Sequence, residues 1–303
     1  MRILKILILT ILLFSFSPFQ AFADKSDDTL VIAFSREITN LDYHYGTKTE
    51  YLILGDMIDD SLFYVENENL TYAPSLASDF NVVDDVTLDV NLRQGVKFHD
   101  GSEMTSDDVV YTYNFIVTND KNRRHKKLAS WLKSIEKTGK YSVRFNLNSP
   151  YANLFNDLYR IKIRKNGIMG TDGNWDDNAQ ATSLNGLGPY KVISFDPGVE
   201  VVLERNESYF GGPKGNPAIK NLIIRSIPDM GTQQAELMSG GIHWMYNVKK
   251  DVGEAMAKTG KADYQIGPSL RIGFLVLDAG GYSGEGNPIT KLDVRRAMNH
   301  AIN

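Results

Sequence analysis

Thr29 to Ser35 (TLVIAFS) is an unbroken uncharged run rich in β-branched side chains. A strand with one wet face alternates polar and apolar residues. This run does not, so both of its faces must be covered, as they are inside a parallel sheet. Other segments do alternate. Val86, Leu88, Val90 and Leu92 share one face of Asp85 to Leu92, which ends at Gln94-Gly95, and Tyr141, Val143, Phe145 and Leu147 alternate until Pro150. Both spacings predict half-buried strands. Tyr190 to Phe195 and the residues Val199, Val201 and Leu203 flank Asp196-Pro197-Gly198, which predicts a hairpin. Asn221 to Ile227 and Arg271 to Leu277 predict two further strands.

His99-Asp100-Gly101 predicts a turn. After it, Thr105-Ser106-Asp107-Asp108 reads as a helix N-cap with an acid three residues on, feeding Val109, Val110, Tyr113 and Ile116 or Val117 at helical spacing. A short helix is expected from Thr232, stopped by Gly240-Gly241. Near the end, Asp293 is placed to cap a helix whose Val294, Ala297, Met298, Ala301 and Ile302 form an apolar stripe that no later element covers. The chain is therefore expected to be a fragment, cut inside a domain. Strands and helices mix without a regular βαβ repeat, which predicts an α/β or α+β fold with a mixed sheet.

Arg2 and Lys5 precede an almost unbroken apolar run from Ile6 to Phe16; Pro18 breaks it, and Ala21-Phe22-Ala23 offers a small-x-small cleavage pattern before Asp24. This order predicts a secretory signal peptide over residues 1–23, with an apolar part too short to span a membrane. No other segment approaches the roughly 18 apolar residues of a span, so the mature chain is expected to be soluble. Lipid anchoring of an exported protein requires a Cys at the cleavage point; position 24 is Asp and the chain has no Cys. The expectation is a free protein in a Gram-negative periplasm, where disulfides are permitted but not required. The 33 basic and 37 acidic residues give a net charge of -4, about -6 without residues 1–23. Such a balance gives no general attraction for nucleic acid or anionic lipid.

Catalytic signatures are absent or broken. Gly281-Tyr282-Ser283-Gly284-Glu285 approaches the G-x-S-x-G elbow of serine hydrolases, but Glu285 replaces the last Gly, and a loop is expected instead. His44, His99, His125, His243 and His300 are isolated, so no zinc motif is legible. In Asp172-Gly173-Asn174-Trp175-Asp176-Asp177 the sixth position is Asp177 and the twelfth Ser183, which fails the calcium-loop pattern. Gly186-Leu187-Gly188 continues with Pro189, Tyr190 and Lys191, which is no phosphate loop. Lys121 to Lys127 (KNRRHKK) is expected to be a solvated loop or helix end. No metal and no cofactor are expected.

Several stretches together resemble the extracytoplasmic solute-binding proteins, family 5, of ABC importers, the oligopeptide, dipeptide and nickel binders. Asn40-Leu41-Asp42 resembles the family's "sLDP" turn, with Tyr43 where Pro is usual, and Pro74-Ser75-Leu76-Ala77 is similar to its "P.LA". Leu92 to Gly101 (LRQGVKFHDG), followed by Thr105 to Val110 (TSDDVV), matches "LR.gvkFhdG.plta.DVv". Gly188-Pro189-Tyr190, Leu203-Glu204-Arg205-Asn206 with Tyr209, and Ser239-Gly240-Gly241-Ile242, with His243 where Asp is usual, continue the family's order. Asp293 to Ala297 with Ala301-Ile302 is similar to "dvRrAl..AiD". Phe98, His99, Asp100, Gly101, Asn206 and Tyr209 are expected to be architectural rather than ligand contacts.

The resemblance implies an α/β fold of the cluster-C type II periplasmic-binding kind, two-lobed with an inserted subdomain and here truncated after the start of the second lobe. The implied parts are a lobe I core over 24–60 and 170–268, the inserted subdomain over 61–169, and a hinge strand with the start of lobe II over 269–303. Lobe closure around the ligand would present the closed state to a membrane permease. By position in the family, ligand contacts are expected from Tyr45, Gly46, Thr47, Lys48 and Thr49, from Trp131, from Trp244, Tyr246 and Asn247, and from Ser269, Leu270 and Arg271. Aromatic residues there supply stacking area, and Arg271 is suited to a carboxylate. The expected partners are a peptide or other small solute and an ABC permease, without nucleic acid, and the expected state is a monomer. Competing expectations are a truncated remnant that binds nothing and a secreted hydrolase.

Overall fold

In the computed structural model, which describes residues 28–46, 48–66, 71–118, 126–168, 184–267 and 275–302, the uncharged run is strand β1 (Thr29–Phe34). It pairs in parallel with β10 (Asn221–Ser226), and the sheet continues antiparallel through β9 (Glu200–Arg205) to β8 (Tyr190–Asp196), giving the order β1-β10-β9-β8. Both faces of β1 are covered. Ile32 and Phe34 pack with Leu41, Leu54, Ile58 and Leu222, whereas Val31 and Ala33 pack with Ile227, Ile242 and Met245. The missing alternation in TLVIAFS is thus the imprint of two separate cores. The β8–β9 turn closes as expected, with Val199 N donating to Asp196 O at 3.0 Å and Gly198 at φ +80°.

Between β1 and β8 the chain builds α1 (Thr49–Ile58), the hairpin β2 (Phe63–Glu66) and β3 (Thr71–Pro74), and a second sheet. That sheet is wholly antiparallel, ordered β4-β5-β7-β6, from β4 (Ala77–Asp84), β5 (Thr87–Leu92), β6 (Leu132–Gly139) and β7 (Ser142–Leu147). Leu88 and Val90 lie opposite Phe145 and Val143, and all four are buried with Val109, Tyr113 and Ile116 of α2 (Ser106–Thr118). The α2 start matches the sequence pattern: Thr105 Oγ1 accepts from Asp107 N at 3.3 Å, and Asp108 Oδ2 accepts from Thr105 N at 2.7 Å. A third helix, α3 (Leu154–Arg160), leads into residues 161–164, which bridge back to Ser61.

The helix expected from Thr232 begins earlier, as α4 (Met230–Ser239), because Asp229 supplies the cap and accepts from Thr232 N at 2.7 Å. Gly240 ends it at φ +85°, as the Gly pair predicts. Helix α5 (Lys250–Ala257) follows.

The chain divides into two compact units, the second beginning at Asp263. In the second unit α6 (Leu292–His300) carries the expected stripe with no buried residue, and Lys291, not Asp293, occupies its N-cap; Asp293 lies in the first turn, 3.7 Å from Arg296. The strand expected over Arg271 to Leu277 is not found in its described part. Leu275 and Val276 are 76% and 83% exposed, and Ala279 N donates to Leu277 O at 2.8 Å in a local bend rather than a ladder. Residues 271–274 of that segment, residues 1–27, most of the basic cluster and the Asp172–Asp177 loop lie outside the described residues. Among the described residues, no helix is long and apolar enough to cross a membrane.

Candidate functional site

The edge of β1 away from β10 is finished by the segment after α4. His243 N donates to Val31 O at 2.8 Å, Ala33 N donates to Trp244 O at 3.0 Å, and Val31 N donates to His243 Nδ1 at 3.3 Å. His243, which departs from the family's Asp, therefore serves the backbone of β1. The same pairing pins Trp244 beside Ile32 and carries Tyr246 toward the carboxyl end of the strand, where its ring meets Phe34 edge-on at 5.9 Å and 81°. The carboxyl ends of parallel strands are where open α/β sheets place their ligands.

Tyr246 is held at its other end by a hydrogen bond from its hydroxyl to Glu50 Oε1. Glu50 is 3% exposed and lies in the first turn of α1, where the helix dipole favours a carboxylate. Trp244 stacks on Tyr246 with centroids 5.6 Å apart and an interplanar angle of 15°. It remains 44% exposed. Asn247 then turns the chain through φ +61°. Of the sequence-predicted residues, Tyr246 reaches the first turn of α1 through Glu50, next in sequence to Lys48 and Thr49, which are exposed, while Gly46 is buried. A Cβ on Gly46 would stand 2.4 Å from the Tyr51 ring, so only glycine fits that approach. Glu50 and Phe34, which complete the cluster, carry no sequence signal beyond their neighbourhood.

The other predicted contacts fall elsewhere. Trp131 is 4% exposed, packed against Phe145, Tyr113 and Tyr151 with its Nε1 donating to Leu128 O, so it is a core residue of the second sheet and offers no surface. Thr47, Ser269, Leu270 and Arg271 lie outside the described residues, as does the Tyr45 side chain. The Gly281–Gly286 segment is a loop in which Asp278 accepts from Tyr282 N at 3.0 Å and from Ser283 N at 2.7 Å, not a strand-to-helix elbow.

A second polar assembly escapes any one-dimensional pattern. Residues 161–164 return along α1 and bury two cations. Arg164 donates to Asp42 at 2.8 Å and to Asp59, and Lys162 donates to Asp56 at 2.5 Å. Burial pushes the Asp42 carboxyl up, but Arg164 and the His44 hydrogen bond outweigh it and hold the group well below the usual range. Asp56 is likewise lowered, burial being overcome by Lys162 and Lys214. Burial pushes the His44 imidazole below its usual range against the opposing pull of Asp42. Burial and the Asp56 charge push the neighbouring Tyr159 hydroxyl up to about 12. Among the described residues, no group of three or more His, Asp or Glu side chains is arranged to hold a metal.

Residues 71–303 match the family model of bacterial extracellular solute-binding proteins, family 5. The chain belongs to this family. It is 32% identical over 219 residues to the oligopeptide-binding protein AppA of Bacillus subtilis, covering 71% of this chain and 36% of that relative. The AppA structure, solved in complex with a nonapeptide, superposes with a TM-score of 0.68 at 30% identity over 77% of this chain and 45% of that one. NikZ from Campylobacter jejuni, solved with Ni(L-His), gives 0.59 at 26% identity over 71% and 42%. The chain spans less than half the length of either protein.

The signature residues around His99, Gly188, Asn206 and Tyr209 gather at the carboxyl end of α1. His99 Nε2 meets Gly188 O at 3.1 Å while Gly186 N donates to His99 Nδ1 at 3.2 Å, which assigns the ring proton to Nε2. Asn206 Nδ2 donates to the same Gly188 carbonyl, and the Tyr209 hydroxyl donates to Asp60 at 2.8 Å. A Cβ on Gly188 would stand 2.4 Å from the Ile58 carbonyl carbon. The conspicuous glycines of GLGP thus admit close packing against the end of α1, and the signature polar groups fasten that contact.

Proposed function

We propose that this chain is the first lobe of an extracytoplasmic binding protein that captures peptides or peptide-like solutes and delivers them to an ABC permease. The observation that carries the reading is the exposed Trp244 stacked on the partly buried Tyr246 at the carboxyl edge of β1, in a chain of the solute-binding family. Its role is binding, not catalysis. The reading includes export to the periplasm through a signal peptide over residues 1–23 and, as a separate expectation, a monomeric state. By position in the family, Tyr45 to Thr49 and, separately, Ser269, Leu270 and Arg271 are the further proposed ligand contacts, Arg271 being suited to a carboxylate. Lobe closure follows from ligand contacts made by both lobes, which stabilise the closed state relative to the open one. The peptide complex of AppA supports the solute class, and the Ni(L-His) complex of NikZ makes metal chelates the other class to screen.

Thermal-shift screening tests this with di- to hexapeptides, amino-acid derivatives and metal chelates. A ligand present at about 100 times its Kd stabilises by about 2.7 kcal/mol and raises Tm by several degrees. The expected outcome is a shift with peptides. A chain whose Tm no member of these classes moves is not a binder of this kind.

A further inference from the structure

The aromatic pair carries more information than a general binding role. A half-exposed tryptophan on a loop ordinarily samples several rotamers. Trp244 is braced on two sides: its backbone is paired to β1 and one ring face is stacked on Tyr246, which itself meets Phe34 and the buried Glu50. With one face against Tyr246, the 44% exposure of Trp244 lies on the opposite face and the rim. The Tyr246 hydroxyl is committed to Glu50, so the pair presents π surface rather than a polar handle. An indole face held in place suits a flat partner, because offset stacking needs parallel approach and gains most on a pre-organised ring, and a guanidinium laid flat on it adds cation–π attraction.

We propose that the free face of Trp244 is a stacking platform selecting a ligand with a planar side chain, an aromatic ring or a guanidinium, at the position that meets it. This rests on the solute-binding reading above and specifies one subsite within it. An aliphatic side chain of equal volume gains the same burial but not the stacking, so flatness, not size, is the selected property.

The test is titration calorimetry of the full chain with trialanine probes carrying, at each position in turn, phenylalanine, arginine or cyclohexylalanine. The last has the bulk of phenylalanine without its flat face. At one position the phenylalanine or arginine probe is expected to bind about fivefold more tightly than the cyclohexylalanine probe. Preference for phenylalanine alone marks an aromatic-reading site, and preference for arginine alone a guanidinium-reading one; either supports the platform. Trp244→Leu is expected to erase the preference and Trp244→Phe to retain most of it, with Tm measured for both to show that the fold is intact. Probes that bind without any planar preference, or a preference unchanged in Trp244→Leu, overturn the platform and leave the binding role standing. Failure of every probe to bind the unaltered chain overturns both.

Discussion

Two interfaces in the first unit hold their layers together by opposite means. The second sheet meets α2 through apolar side chains, with Tyr113 edge-on to Phe145 at 4.9 Å and Leu88, Val90 and Val143 fully buried around them. The return of residues 161–164 along α1 is instead a seam of charges, Arg164 between Asp42 and Asp59 and Lys162 on Asp56. Apolar packing is non-directional, so each contact stands largely by itself. Buried charges are stable only as a set, since desolvation of each ion is offset by the partner that faces it. Redundancy is therefore built into the sheet and absent from the seam.

The sharpest way to break this contrast is to remove one member of the seam. Arg164→Ala leaves Asp42 and Asp59 buried without their counter-charge, and a loss of about 3–5 kcal/mol is expected, read as the urea midpoint at constant m. Replacing the set, Arg164→Met with Asp42→Asn and Asp59→Asn, is expected to restore most of that stability, because the desolvation of three ions disappears with their attraction. A triple variant no better than Arg164→Ala would mean that the seam is favourable in itself. In the sheet, Leu88→Ala is expected to lose about 3 kcal/mol through transfer and cavity effects alone.

The two regions should also part in their response to pH. The Asp42 and Asp56 carboxyls are held low in the folded chain, so their contribution is complete above the ordinary carboxylate range and is lost as pH falls through it toward the folded values. Tyr159, raised to about 12, and Lys162, also raised, act at the other end: their contribution is complete below about pH 10 and is lost as pH climbs beyond it. A dome in Tm between pH 2 and 11 is expected for the unaltered chain. Leu88→Ala should lower the dome without reshaping it, and the triple seam variant should flatten its acid side. Equal reshaping by both would erase the distinction.

The same contrast explains what could be read from residue order. Strands β1, β5, β7, β8 and β9 and helix α2 are legible because apolar periodicity records which face is covered, and the family membership follows from the LRQGVKFHDG stretch and its companions. The seam is illegible because Asp42, Asp59 and Arg164 are separated by up to 122 residues and meet only in the fold. Trp131 and Trp244 show the limit at a single residue type. One tryptophan is core and the other is exposed, and only the helix and sheet packed around Trp131, against the paired edge beneath Trp244, distinguish them. For α4, the cap is Asp229, three residues ahead of the start expected at Thr232.

The smallest expected effect tests how far local chemistry acts independently of both interfaces. Thr105 caps α2 from the surface end of the second sheet, and Asp108 closes the reciprocal bond back to Thr105 N at 2.7 Å. Asp108 also accepts from Asn166 N at 2.9 Å, just beyond the seam, so the two capping partners are not equivalent. Thr105→Ala removes the hydroxyl that accepts from Asp107 N and donates to Asp108 Oδ2, and should lower stability by about 1 kcal/mol, the ordinary worth of a cap. Asp108→Ala frees Thr105 N and Asn166 N together and should cost more than Thr105→Ala. If α2 is anchored chiefly by its apolar face, the two losses add with Leu88→Ala, because no partner is shared. A coupling of Asp108→Ala to Arg164→Ala larger than about 0.5 kcal/mol would instead place the helix cap inside the charged seam, extending that seam from α1 to the head of α2.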